Sequence, residues 1–269
     1  MNGTRLRECL DSDAARLREV VAVADLAAPV PTCPEWTVAD LAQHVGAVYL
    51  HKVECIRTGT NPDPWPPPGL ADEEPRALLD RAWAALSAEL APRGADSPAF
   101  TWYVPDQSVG FWIRRMAHET VIHRVDAELA AGADRAAIPA DLAVDGVDEF
   151  LSVFIAYGSK VWPQDFETVL TGDSADSGES GESGVSGVDG ADGRAVRLVT
   201  EGGSWLVRPT KELVEVTAGG TGEAALTVTA NPADLLLWVW QRADDSAVSL
   251  DGDVTLLPLL RQIFRAGSQ

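Results

Sequence analysis

The chain has 269 residues, 46% hydrophobic and 23% charged, enough for one large domain or two modest ones with a buried core. Acidic residues outnumber Lys and Arg 41 to 21, a formal net charge of −20, and such a chain repels phosphate backbones rather than binding nucleic acid. The longest apolar run, Leu235–Trp240, is too short to span a bilayer, and the opening MNGTRLRECLDSD lacks the apolar core of a secretory signal, so a cytoplasmic protein without a membrane partner is expected.

In chain order, Leu6, Leu10, Leu17 and Val21 recur at helical spacing and predict a first helix. The Pro-rich stretch APVPTCPEW reads as a turn leading to Thr37, whose hydroxyl can cap a second helix from Val38 to about Arg57 with Leu41, Val45, Val48 and Ile56 as its apolar stripe. Cys33 in this turn reads as packed and structural. With Cys9 and Cys55 it forms no C-x-x-C pair, which argues against a disulfide scaffold or a four-thiolate zinc site. NPDPWPPPG is a loop. A third helix follows with Leu78, Leu79, Ala82, Leu86 and Leu90 facing inward, then a fourth from Val109 to about Ala131 and a fifth from Asp141 to about Tyr157. Four main helices with apolar stripes predict an antiparallel bundle.

Residues 172–194 carry Gly, Ser and six acids and read as a solvated, self-repelling linker. Beyond it AVRLVTE, SWLVRPT, ELVEVT, AALTVTA and AVSLDGD predict strands. Asn231 and Pro232 begin a helix as N-cap and first helical residue, and VTLLPLLRQIF predicts a closing one. The predicted organisation is a helical bundle over 1–171, the acidic linker 172–194 and a small α+β domain over 195–269.

Chemistry concentrates in the fourth helix, RRMAHETVIHRVDAELAAG. Glu119 and His123 are four residues apart, about 40° around a helix, so a carboxylate oxygen and an imidazole nitrogen can meet on one metal ion. His118 is about 140° from His123, and Ile122 stands where a zinc-protease motif needs its second His. The same spacing also describes an ordinary surface pair. His44 lies on or beside the buried stripe of the second helix, either as a hydrogen-bonded core residue or as a third ligand. Three protein ligands leave the fourth position of zinc open, as in catalytic sites. His51, one heptad on, reads as a pocket residue or a solvent-facing His.

The run VPTCPEWTVADLAQHVG, with Trp36 eight residues before His44, resembles the opening motif of the mycothiol-dependent maleylpyruvate isomerase family. RRMAHETVIHRVDAELAAG is similar to its second motif, and ADLLLWVWQRADDSAVSLDGDVTLLPLL to its C-terminal tail. The resemblance implies a DinB-like four-helix bundle with a small, sterol-carrier-like α+β domain closing over a metal site. It implies zinc or another divalent metal on His44, Glu119 and His123, and mycothiol as thiol cosubstrate. Asp126 then either orients a ligand or pairs with an Arg. Trp36 belongs to the site's surroundings. Arg242 is either a catalytic residue reaching the site or a solvated Arg near a helix end.

The expected activity is a zinc- and thiol-dependent isomerase or thiol S-transferase acting on a small electrophile. An anionic substrate would need a cation, which Arg242, Arg114 or Arg115 could supply. The alternatives are a non-catalytic, zinc-stabilised binding or regulatory protein and a metal-dependent hydrolase.

Overall fold

A computed structural model describes residues 1–171 and 194–268. The described chain divides into two compact units, Met1–Ile138 and Pro139–Gln269. Among the described residues no helix is long and apolar enough to cross a membrane.

The first unit is built on four long helices: α1 (Gly3–Val23), α2 (Val38–Thr58), α3 (Pro75–Leu90) and α4 (Val109–Ala131). The stripes read from the sequence are its core. Leu6, Leu10, Leu17, Leu41, Val45, Leu78, Leu79 and Leu86 are all buried. α1 packs along α4 and α2 along α3, with α2 also against α4. Local chemistry sets the helix starts. Thr37 Oγ1 accepts from the Asp40 amide while Asp40 accepts from the Thr37 amide at 2.8 Å, a reciprocal capping box that fixes where α2 begins. Ser108 caps α4, and Gly132, with φ of 61°, ends it.

α4 departs from the usual pattern of one wet face. Elements cover it on several sides, and Arg115, His118, Thr120, His123, Arg124, Asp126 and Glu128 are all buried along it. Such groups are tolerated only when paired. Arg124 donates to Asp13 at 2.9 Å and to Glu128 at 2.7 Å, and Glu128 also accepts from Arg16. This network ties α1 to α4 by side chains as well as by packing.

The Pro-rich segment before α2 is more ordered than a turn. β1 (Pro29–Val30) pairs antiparallel with β2 (Cys33–Thr37), a short hairpin that runs straight into the α2 cap. Its proline content and length hide it from alternation-based reading.

The second unit begins with α5 (Ala140–Glu149), which continues as a π-helical stretch (Phe150–Tyr157) and then α6 (Gly158–Val161) and α7 (Pro163–Thr171). Its sheet holds β3 (Val196–Thr200), β4 (Gly203–Pro209), β5 (Val214–Ala218), β6 (Leu226–Thr229) and β7 (Ser249–Gly252) in the order β5-β4-β3-β6-β7. β3 and β6 are parallel and the other neighbours antiparallel. α8 (Pro232–Val239) starts at Asn231, which accepts from the Asp234 amide, and α9 (Leu257–Gly267) closes the chain.

Residues 140–171 therefore group with the sheet rather than with the first four helices, where the sequence reading has them. The cause is the apolar face of α5. Leu142, Ala143 and Val147 are buried, α5 packs on α8, and Asp148 accepts from Trp205 Nε1 at 2.9 Å. Phe150 further meets Trp240 and Phe264 in one aromatic cluster. Of the predicted linker 172–194, residues 172–193 lie outside the described residues; Arg194 is ion-paired with Asp253.

Candidate metal centre

Three side chains converge in the first unit. His44 projects from α2, and Glu119 and His123 from α4 one turn apart. One donor atom from each lies within 4.8 Å of the others. Glu119 Oε1 is 3.2 Å from His44 Nε2 and 3.2 Å from His123 Nε2. Two atoms bound to one zinc at about 2.0–2.1 Å with tetrahedral angles stand about 3.3 Å apart. The carboxylate therefore sits at a ligand-to-ligand distance from both imidazoles, and two nitrogens with one oxygen form a donor set suited to zinc. These residues fit a metal ion.

Neighbours fix each ligand. His123 Nδ1 donates to Asp126 Oδ2 at 3.0 Å, and Asp126 Oδ1 accepts from the Thr32 hydroxyl at 2.6 Å. Because that bond keeps a proton on Nδ1, loss of the Nε2 proton leaves the lone pair facing Glu119, the tautomer a metal ligand needs. Arg115 Nη2 donates to Glu119 Oε2 at 3.2 Å and leaves Oε1 for the two imidazoles. Trp36, on β2, sets its indole 4.7 Å from the His44 ring and 6.0 Å from the His123 ring. The centre is recessed but open on one side: the His44 side chain is 36% exposed and that of His123 only 10%.

The electrostatics favour a cation between these groups. Burial works to lower the His123 pKa, but the Glu119 carboxylate and the bond to Asp126 outweigh it and raise it to about 9. Burial likewise works to raise the Glu119 pKa, yet the two imidazoles and Arg115 hold it well below the usual carboxylate range.

The other singled-out residues fall elsewhere. His51 is not in the triad. Its Nδ1 faces Lys52 Nζ at 3.2 Å and Cys55 Sγ at 3.4 Å, and its ring meets Trp65 edge-on at 5.0 Å. Burial and the Lys52 charge lower the His51 pKa to about 4, against a hydrogen bond with the Asn61 side chain that favours the protonated ring. His118 is fully buried and outside the triad. Of the adjacent arginines, Arg115 meets the triad member Glu119. Arg242 belongs to the second unit, where Nη1 donates to the Trp240 carbonyl at 2.8 Å.

Two contributors escape sequence reading. Thr32 reaches Asp126 only because of the β1–β2 hairpin, for which no motif exists. Lys52 lies with its ammonium 4.8 Å from the centre of the Trp112 ring, two turns before Glu119 on α4. Its one available signal is position, eight residues after His44 in a chain with three lysines.

Comparison with known proteins agrees with this architecture. Residues 7–128 match the family described as mycothiol maleylpyruvate isomerase N-terminal domain. The crystal structure of the mycothiol-dependent maleylpyruvate isomerase superposes with a TM-score of 0.59 at 14% identity, covering 94% of this chain and 95% of that one. A histidine-to-alanine mutant of that enzyme superposes with a TM-score of 0.58 at the same identity and coverage. A ubiquinone synthesis protein described as UbiJ-SCP2 aligns with 47% of this chain at a TM-score of 0.27, too low to weigh. No curated protein matches the chain by sequence.

Proposed function

Because residues 7–128 form a domain of the mycothiol maleylpyruvate isomerase N-terminal family, we propose that this protein is a zinc- and thiol-dependent isomerase or thiol S-transferase acting on a small electrophile, with mycothiol as the thiol. The observation that carries the reading is the convergence of donor atoms of His44, Glu119 and His123 within 4.8 Å of one another, with Glu119 3.2 Å from each imidazole. Three protein ligands and a partly exposed rim leave room for an exogenous group, the arrangement of catalytic rather than structural zinc. Zinc bound here would hold a low-molecular-weight thiol as its thiolate, a nucleophile toward an activated carbon–carbon double bond.

The chain's own residues supply the rest. Asp126, braced by Thr32, keeps the His123 proton on Nδ1 and its ring in place. Arg115 orients Glu119 through Oε2. Trp36 covers the two imidazoles and restricts water on that side. In an acidic protein, Arg115 and Lys52 on the same side of α4 lower the cost of bringing an anionic substrate near. Arg242 remains a proposed catalytic residue: Arg242→Ala should lower turnover while leaving metal content unchanged. Isomerisation and transfer differ in whether the thiol adduct rotates and expels the thiol or leaves as product.

The test is turnover of cis-configured activated alkenes with and without mycothiol, followed by the loss of substrate and the appearance of isomer or adduct. Turnover that requires the thiol supports the reading. Metal-dependent turnover of an ester or amide without any thiol would point to hydrolysis, and metal binding without turnover to a binding protein.

A further inference from the structure

Lys52 departs from the way this chain accommodates buried charge. The buried arginines of α4 meet carboxylates, Arg115 on Glu119 at 3.2 Å and Arg124 on Asp13 and Glu128, as a desolvated charge requires. Lys52 is half-buried, and burial pushes its pKa down. Among the described residues, however, no carboxylate oxygen lies within 4.0 Å of its ammonium. Supply is not the reason, since acids outnumber Lys and Arg 41 to 21. The nearby Glu54 accepts from Arg57 at 3.0 Å, and the Glu119 oxygens are engaged by Arg115 and the two imidazoles.

The groups that hold the ammonium are uncharged. His51 Nδ1 accepts from it at 3.2 Å, and with a pKa of about 4 the imidazole is neutral at pH 7. Burial pushes the Cys55 thiol up, so the sulfur 3.4 Å from the same nitrogen keeps its proton. The remaining neighbour is the face of Trp112, whose ring centre lies 4.8 Å from the ammonium. That ring is fully buried and anchored by its Nε1, which donates to the Phe100 carbonyl at 2.7 Å. An ammonium has three donors, so this setting positions Lys52 and leaves its charge uncompensated. A single carboxylate balances one ammonium, whereas a phosphate dianion calls for several converging donors. We propose that Lys52 is the receptor of a binding site for a small monocarboxylate, with Trp112 and His51 fixing its ammonium. This is a direct contact rather than a long-range field, and it needs neither the metal nor the thiol. Lys52 follows His44 by eight residues on α2 and Trp112 precedes Glu119 by seven on α4, so the site lies about 10–12 Å of helix along the same seam as the triad.

Titration of the full chain with sodium acetate tests it, followed by broadening of the acetate methyl NMR line at constant ionic strength in chloride, with inorganic phosphate as the second anion. The expected result is saturable, millimolar binding of acetate, weakened about tenfold or more by Lys52→Met, the size of a lost charged hydrogen bond, and retained in His44→Ala. Saturating acetate should also raise the stability of wild type to urea and leave that of Lys52→Met unchanged. If Lys52→Met does not fold, Lys52→Gln gives the same readout. The proposal is overturned by no saturable binding of acetate, by binding that the Lys52 variants leave unchanged, by phosphate binding more tightly than acetate, or by loss of acetate binding in His44→Ala, which would move the ligand to the metal centre.

Discussion

The hydrogen bond from His123 Nδ1 to Asp126 Oδ2, 3.0 Å long and fully buried on the Asp126 side, decides which nitrogen of His123 is available to a metal. The two residues are three apart on α4, so the helix itself sets their approach. Removing a partner of this kind lowers metal affinity by about 10- to 100-fold. Asp126→Ala should therefore lose metal to a competing chelator at a correspondingly lower chelator concentration, with α4 still helical by circular dichroism. Thr32→Val, which removes only the brace on Asp126, should give a smaller loss in the same titration.

Metal and protons compete for the centre. In the metal-free protein His123 titrates near 9, so it is charged at neutral pH. A raised folded pKa means that its contribution to metal-free stability is complete below the unfolded value of about 6.5 and is lost as pH rises through about 9. Metal binding must displace that proton. Calorimetry of zinc binding at pH 7 in buffers of different ionisation enthalpy should show proton release, and affinity should fall as pH is lowered. A binding heat independent of the buffer would contradict the geometry.

His51 predicts the opposite slope. Its folded pKa is lowered to about 4 by burial and by Lys52. Its stabilising contribution is full above about 6.5 and is lost as pH falls from there toward 4. Thermal melts of wild type and His51→Gln between pH 7.5 and 4 should show the wild type losing more stability on acidification. Parallel melting curves would remove His51 from the account.

Gly46 marks how tightly α2 and α3 meet. A Cβ at this position would lie 2.8 Å from Leu78 Cγ, and Leu78 is fully buried. Ala gains about 1 kcal/mol of helix propensity over Gly, while overpacking typically costs about 1–3 kcal/mol. Gly46→Ala should be net destabilising in urea unfolding, and Leu78→Ala in the same background should recover part of the loss from the clash.

The helices and strands were legible because their apolar periods are clean: the α1 stripe from Leu6 to Val21 and the Val/Thr runs of β3 to β6 need no tertiary information. The Glu119–His123 pair was legible for the same reason, since a helix fixes its own neighbours. His44 could be brought to it only by assuming a bundle or by family resemblance, because a contact between α2 and α4 leaves no periodic trace. The unit boundary was not legible. Nothing in the apolar face of α5 says whether it meets another bundle helix or α8, and the acidic composition of 172–194 drew the predicted division there, whereas residues 140–171 group with the sheet. Nor could the Arg115 bond to Glu119 be told from a solvent-facing arginine, since i,i+4 spacing is equally common on wet faces.

The most direct test of the account is zinc content per chain in untagged protein, wild type beside His44→Ala and Glu119→Ala prepared identically. The account predicts close to one zinc per wild-type chain and a sharp loss in both variants, with their helical content retained. Wild-type protein that holds no zinc after exposure to the ion and removal of excess, or variants that hold as much as wild type, would contradict it.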